Sequence, residues 1–289
     1  MSQMANPAST VSRYFVPQPS HWPIVGSLAL GLMTSGAVMA MNGVAAGKFT
    51  LIAGFCVLVY MLFGWFGTVI RESEAGKYSK LVDGSFRWSM SWFIFSEVMF
   101  FAAFFGGLFY IRVLSVPELA SFESVKLLYP HFSDVWPSAG PAFKGKFTPM
   151  DAFGLPAVNT LLLLSSGATI TWAHWGLIKN NRKQLIIGMF LTIALGVAFL
   201  ICQAVEYHEA YTEHNLKLTT GVFGSTFFML TGFHGFHVTL GATMLTVILV
   251  RCIKGHFTPD HHFAFEGVAW YWHFVDVVWL LLFVLVYWL

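Results

Sequence analysis

Glu97 stands in a run of apolar residues, Phe93-Ile94-Phe95-Ser96-Glu97-Val98-Met99-Phe100-Phe101, and its neighbours three and four residues away are Phe93, Ile94, Phe100 and Phe101. Its own helix therefore offers it no polar partner. A carboxyl in such a place is either a proton-binding or headgroup-contacting group, or an acid hydrogen-bonded to a neighbouring helix. Spacing alone leaves both open. A second set is Glu266, His273 and Asp276, whose offsets of seven and three keep one helical face. A proton relay along that face is conceivable, and an interhelical hydrogen-bond stripe is the better account. His234 and His237 share a face with Thr231 and Gly241. Two imidazoles at this spacing could begin a metal site, but further ligands must come from facing helices, and no Glu-x-x-His pair lies within a span to supply them. Small-residue packing with polar bonds explains them better, so the expectation is no metal ligand and no catalytic residue. His174, in Thr171-Trp172-Ala173-His174-Trp175, reads as part of an interfacial aromatic cluster.

The elements that carry these groups are membrane helices. Hydrophobic residues form 56% of the 289 and charged residues only 10%, and mean hydropathy is +0.67. A soluble domain carries about 25% charged residues, so this chain cannot furnish a charged shell. The net charge of +2 gives no basic excess for nucleic acid. Cys56, Cys202 and Cys252 lie far apart in apolar runs and read as buried free thiols rather than ligands or a disulfide framework.

Crossing the hydrocarbon core takes about 20 mostly apolar residues. Charge-free windows at 24–42, 49–70, 152–178, 184–205 and 218–250 meet that length, and 88–111 and 264–289 do so with Glu97 and Asp276 inside them. Seven helices follow, since backbone groups in lipid must be satisfied within the segment. The first window is read as a retained span rather than a signal peptide. The parts expected are a tail over 1–22, a two-helix part over 23–70, a loop over 71–87 and a five-helix part over 88–289, with a long Pro- and Gly-rich loop at 115–154.

With the N-terminus inside, ten basic residues face the cytoplasm, among them Arg13, Arg71, Arg87, Arg182 and Arg251, against six outside. The positive-inside rule favours that orientation, with the C-terminus on the opposite, periplasmic side. Arg71 and Glu72 end the second helix at the level of Arg251, His261 and His262, where basic pockets can take anionic lipid headgroups.

Several segments together resemble one family. They are Val69-Ile70-Arg71-Glu72-Ser73, Ser96-Glu97-Val98-Met99-Phe100-Phe101, Gly154-Leu155-Pro156-Ala157-Val158-Asn159-Thr160, Thr171-Trp172-Ala173-His174, Glu206-Tyr207-x-Glu209-Ala210, Thr231-Gly232-Phe233-His234-Gly235-Phe236-His237-Val238 and the run Phe263–Trp279. In order, across about residues 65–288, they resemble subunit III of haem–copper cytochrome c oxidases.

The resemblance implies an all-α membrane protein of seven helices, split two plus five by a V-shaped cleft filled with phospholipid. It implies no cofactor in this chain besides structural phospholipids, with haem and copper in partner subunits. Subunit I is the direct packing partner and subunit II a member of the same complex. The implied roles are stabilising subunit I, supporting proton uptake and easing oxygen delivery through bound lipid. By motif match Glu97 is the cleft-facing carboxyl, and Arg71, Glu72, Arg251 and His261 stand near lipid headgroups. The long tail and loop point to a bacterial inner membrane, with the mitochondrial inner membrane as the alternative. Two departures stand out: loop 115–154 is longer than in many relatives, and Trp175 replaces a second histidine after His174. Two other functions remain to weigh, a quinol-oxidase subunit III and a haem-binding membrane cytochrome. The first usually lacks the two leading helices, and the second requires His ligands to a haem.

Overall fold

The computed structural model describes residues 15–289, so Arg13 and most of the tail lie outside the described residues. Seven helices are long and apolar enough to span a bilayer, and no strand forms among the described residues. The protein is an all-α, multi-pass membrane protein. Helix α1 covers Trp22–Met41, α2 Ala46–Glu74 and α3 Lys80–Phe109. Short helices α4 (Val116–Ser121) and α5 (Glu123–Leu128) follow, then α6 (Leu155–Ile178), α7 (Arg182–Thr212), α8 (Gly221–Lys254) and α9 (Phe263–Leu282). Two π-helical turns, Tyr110–Ser115 and Phe283–Trp288, continue α3 and α9.

The helices outrun the charge-free windows wherever charges sit at the rim. Helix α3 begins at Lys80 rather than 88, and α7 runs to Thr212 rather than 205. Backbone hydrogen bonding continues past the hydrocarbon edge, where long charged side chains reach water. The long Pro- and Gly-rich loop expected at 115–154 is helical in its first part, through α4 and α5.

The chain divides into two compact units, one closing at Phe86 and the other running Arg87–Leu289. In the first, α1 lies against α2 at Gly36 and Gly47. A methyl group added at Gly36 would meet the Leu51 backbone, and one at Gly47 would meet the backbone of Ala40 and Gly36. Packing this close needs hydrogen in place of a side chain. Beyond these contacts few residues of the pair are buried, Trp22, Ala29 and Met61 among them.

In the second unit α6, α7, α8 and α9 form the core, with Trp272, Trp279, Phe199, Leu163 and Leu245 almost wholly enclosed. Both indoles are held by polar tips: Trp272 Nε1 donates to Ser166 Oγ at 2.9 Å and Trp279 Nε1 to Thr160 Oγ1 at 2.9 Å. A buried indole N–H without such a partner would be costly. Helix ends follow the same accounting. Pro156 opens α6 in the first turn, where no N–H is needed. Asn181 caps α7 by accepting from Gln184 N. Gly255, at φ 84°, ends α8 in the left-handed region, and Arg182 donates to the terminal carbonyl of Cys252. Helix α3 meets this core through long side chains, such as Phe100 against Phe233 and Phe93 against Tyr271.

Candidate functional site

The intramembrane carboxyl Glu97 finds its partner on α8. Its Oε2 lies 2.9 Å from Nε2 of His237, and the side chains are 21% and 9% exposed. The other ring nitrogen, Nδ1, lies 2.6 Å from the carbonyl of Phe233 one turn back. A carbonyl only accepts, so Nδ1 carries a hydrogen and donates it. Two arrangements remain: a neutral ring accepting from a carboxylic acid, or an imidazolium facing a carboxylate. Both share one proton across the contact and leave the pair with no net charge, which is the condition for residing cheaply in lipid. Phe100, Phe101 and Tyr271 ring the imidazole at 5.1–6.4 Å.

His234 faces elsewhere, although it stands only one turn away. Its Nε2 donates to the carbonyl of Val275 on α9 at 3.2 Å, and Trp279 and Phe199 close over the ring. The two histidines thus tie α8 to different helices, His234 to α9 and His237 to α3, and do not converge on one point.

The polar face of α9 is divided in the same way. Glu266, in the first turn, bonds Arg87 of α3 through Oε2. Its Oε1 lies 3.3 Å from His262 and 3.9 Å from His174 of α6. This network pins three helices at the end of the bundle where α6 finishes and α9 begins. His174, His262 and Glu266 each offer a ligand atom within 4.8 Å of the others, the spacing a metal ion would need. The Arg87 guanidinium already takes one carboxylate oxygen, however, so a cation there would meet a fixed positive charge. Further along, His273 Nδ1 lies 3.8 Å from Asp276 Oδ2 and its Nε2 lies 3.4 Å from Thr171 Oγ1. Asp276 can approach α6 because residue 167 is glycine, where an added Cβ would stand 2.5 Å from Oδ2. The stripe Glu266, His273, Asp276 therefore makes two separate attachments.

Arg71 donates to Thr68 Oγ1 at 3.1 Å, and Glu72 accepts from the Tyr78 hydroxyl at 3.0 Å in the first unit. Partial burial and the neighbouring Glu72 carboxylate push the Tyr78 phenol up to about 12. In the second unit Arg251 is mostly buried, with its guanidinium 4.4 Å over the Phe257 ring. His261 is exposed, and its backbone pairs with Thr258 in a tight turn.

One polar group was not singled out for its chemistry by sequence reasoning. Glu206 on α7 is fully buried. Gln203 one turn earlier and Tyr287 at the end of the last helix are buried as well, and Tyr287 interacts with both Glu206 and Gln203. The apolar window ends at 205, so Glu206 lies just beyond it. The sequence signal that could have found it was its position one turn beyond the amide of Gln203.

Comparison with known proteins decides the family. Residues 12–289 match the family model described as cytochrome c oxidase subunit III. The chain belongs to that family. It is 42% identical over 276 residues to cytochrome c oxidase subunit 3 of Dugong dugon, covering 95% of this chain and 96% of that one. The counterpart from Hippopotamus amphibius gives the same figures, and that from Phoca vitulina is 41% identical over the same length. As a subunit III family member, the chain has the all-helical membrane architecture expected from its sequence.

Proposed function

We propose that this chain is the non-redox third subunit of a terminal respiratory oxidase, a complex that passes electrons from cytochrome c to oxygen and pumps protons. It packs directly on the haem-bearing subunit I, within a complex that includes the copper-bearing subunit II. Its work is to hold that assembly together through turnover, to support proton uptake, and to keep phospholipids in place. Haem and copper belong to the partners. Arg71, Glu72, Glu97, Arg251 and His261 are the residues assigned to lipid contact. The membrane is a bacterial inner membrane, with the N-terminus cytoplasmic and the C-terminus periplasmic.

The match across residues 12–289 carries this reading. The disposition of the histidines supports it. His234 is engaged with a backbone carbonyl and His237 with Glu97 and a backbone carbonyl, so each uses a ring nitrogen for helix-to-helix attachment. Stability of the partner, rather than chemistry within the chain, is then what its removal disturbs.

The test is extraction in mild detergent followed by depletion. The intact chain co-purifies with haem- and copper-bearing subunits. The depleted complex keeps its haem spectrum and loses activity after fewer turnovers. A Soret band from the isolated chain, or an unchanged working life without it, would overturn the proposal.

A further inference from the structure

His273 differs from His234 and His237 in where its ring faces. His234 is wholly enclosed and the His237 side chain is 9% exposed, whereas that of His273 is 45% exposed. It stands ten residues beyond Phe263, the start of α9, which is about 15 Å along the axis at about 1.5 Å per residue. In a hydrocarbon core about 30 Å thick, that depth is close to the centre. Headgroups do not reach it. Within the chain the ring is loosely held. Thr171 Oγ1 lies 3.4 Å from Nε2 and Asp276 Oδ2 lies 3.8 Å from Nδ1, both longer than an ordinary hydrogen bond. The Thr171 hydroxyl already donates to the Gly167 carbonyl at 2.9 Å, so towards His273 it can only accept.

The surface around the ring is apolar. Leu164 and Trp175 share the face of Thr171 on α6, and Val277 and Leu281 share that of His273 on α9. All four are 45–58% exposed. Lipid tails would cover them well but would leave half an imidazole facing hydrocarbon. Ionisable groups inside a span almost always face protein or a watered cavity and pair there. A further helix laid along the α6–α9 seam meets both demands, since it covers the apolar flanks and carries a hydrogen-bond partner to the ring. We propose that this seam, centred on His273 and Thr171, docks a transmembrane helix of another subunit, one that brings a hydrogen-bonding side chain to the imidazole at mid-bilayer depth. The proposal rests on the reading of this chain as a subunit of a complex, and it names the face by which the chain is held.

The test uses the whole complex in lipid with His273 intact. A photo-reactive benzophenone side chain replaces that of Val277, one turn from His273, and in a second preparation that of Ile201, which is 60% exposed on α7. Helices α6 and α8 each lie against both α7 and α9, so the outer face of α7 is turned away from the seam. Adducts formed on irradiation are identified by mass spectrometry. The expected result is a peptide adduct at 277, from a membrane span of another subunit that contains a polar side chain, with lipid adducts at 201. Lipid adducts at 277, or a peptide without a polar side chain, would overturn the docking proposal while co-purification upholds the subunit reading. A chain that purifies alone would overturn both. A second measurement reads the hydrogen bond. In rising detergent, the complex carrying His273→Phe should lose this chain at a several-fold lower concentration than the parent, and His273→Gln should restore most of its retention. Equal retention of His273→Phe and the parent would overturn the proposal.

Discussion

Glu97 Oε2 and His237 Nε2 meet at 2.9 Å across 140 residues of sequence. Because His237 Nδ1 is committed to the Phe233 carbonyl, this contact holds a proton wherever that proton resides. Substituting either member has unequal consequences. Glu97→Gln keeps a hydrogen-bonding group toward the ring, whereas Glu97→Leu strands a buried imidazole nitrogen at a cost of about 1–3 kcal/mol. A double-mutant cycle with His237→Phe, read as thermal midpoints in lipid, should give a coupling of about 0.6–2 kcal/mol, the range of interhelical hydrogen bonds in membranes. Additive effects would mean that the two groups do not interact.

Glu97 should also be the first carboxyl labelled by an apolar carbodiimide. The reagent partitions into hydrocarbon, and Glu97 is the partly exposed acid of the span set at 21%, while Asp276 is at 8% and Glu206 is sealed. Mass spectrometry of the labelled peptides checks it. Earlier labelling of Glu266 or of acids in 115–154 would place Glu97 out of reach of lipid.

Gly167 provides a steric test of the α6–α9 attachment. Gly167→Ala puts a methyl 2.5 Å from Asp276 Oδ2, and relieving such a clash costs typically about 1–3 kcal/mol. Restoring the space with Asp276→Ala in the same chain should recover part of that loss. A single substitution without effect on the unfolding midpoint would show that the Asp276 carboxyl turns aside and does not need its place against α6.

The pH dependence of the first unit follows from Tyr78. Its folded pKa, pushed up to about 12, stands above the usual value of 10. The contribution to stability is therefore fully present below pH 10 and is lost as pH rises through 12. The difference in tyrosinate absorbance between the parent and Tyr78→Phe should show one late step near pH 12. A step at pH 10 would mean that the bond to Glu72 does not persist in solution.

The spans were legible because hydropathy is a local property, and a bilayer demands about the same length of every helix. Glu97, His234, His237, Glu266, His273 and Asp276 were legible as polar groups in apolar runs for the same reason. Their partners were not. Arg87 bonds Glu266 from 179 residues away, and no periodicity within α9 announces it. Glu266 and Asp276 share a face by spacing, yet α3 claims one and α6 claims the other. Which neighbour a residue meets depends on how helices are arranged around one another, and in this chain a single glycine, Gly167, decides one such meeting. The rim was misjudged where charge and helix coexist: Lys80, Asp83 and Arg87 broke the apolar window but not the helix. Tyr287 was hidden for another reason, since the π-turn that redirects it changes the very periodicity used to assign faces.

The close glycine contacts between α1 and α2 lie wholly within residues 22–64. Everything needed to close that pair has therefore left the ribosome before the greater part of the chain has been made. The hairpin can enter the bilayer as a finished piece, so that a substitution at Gly36 or Gly47 would be felt during insertion, ahead of any step at which the five later spans assemble.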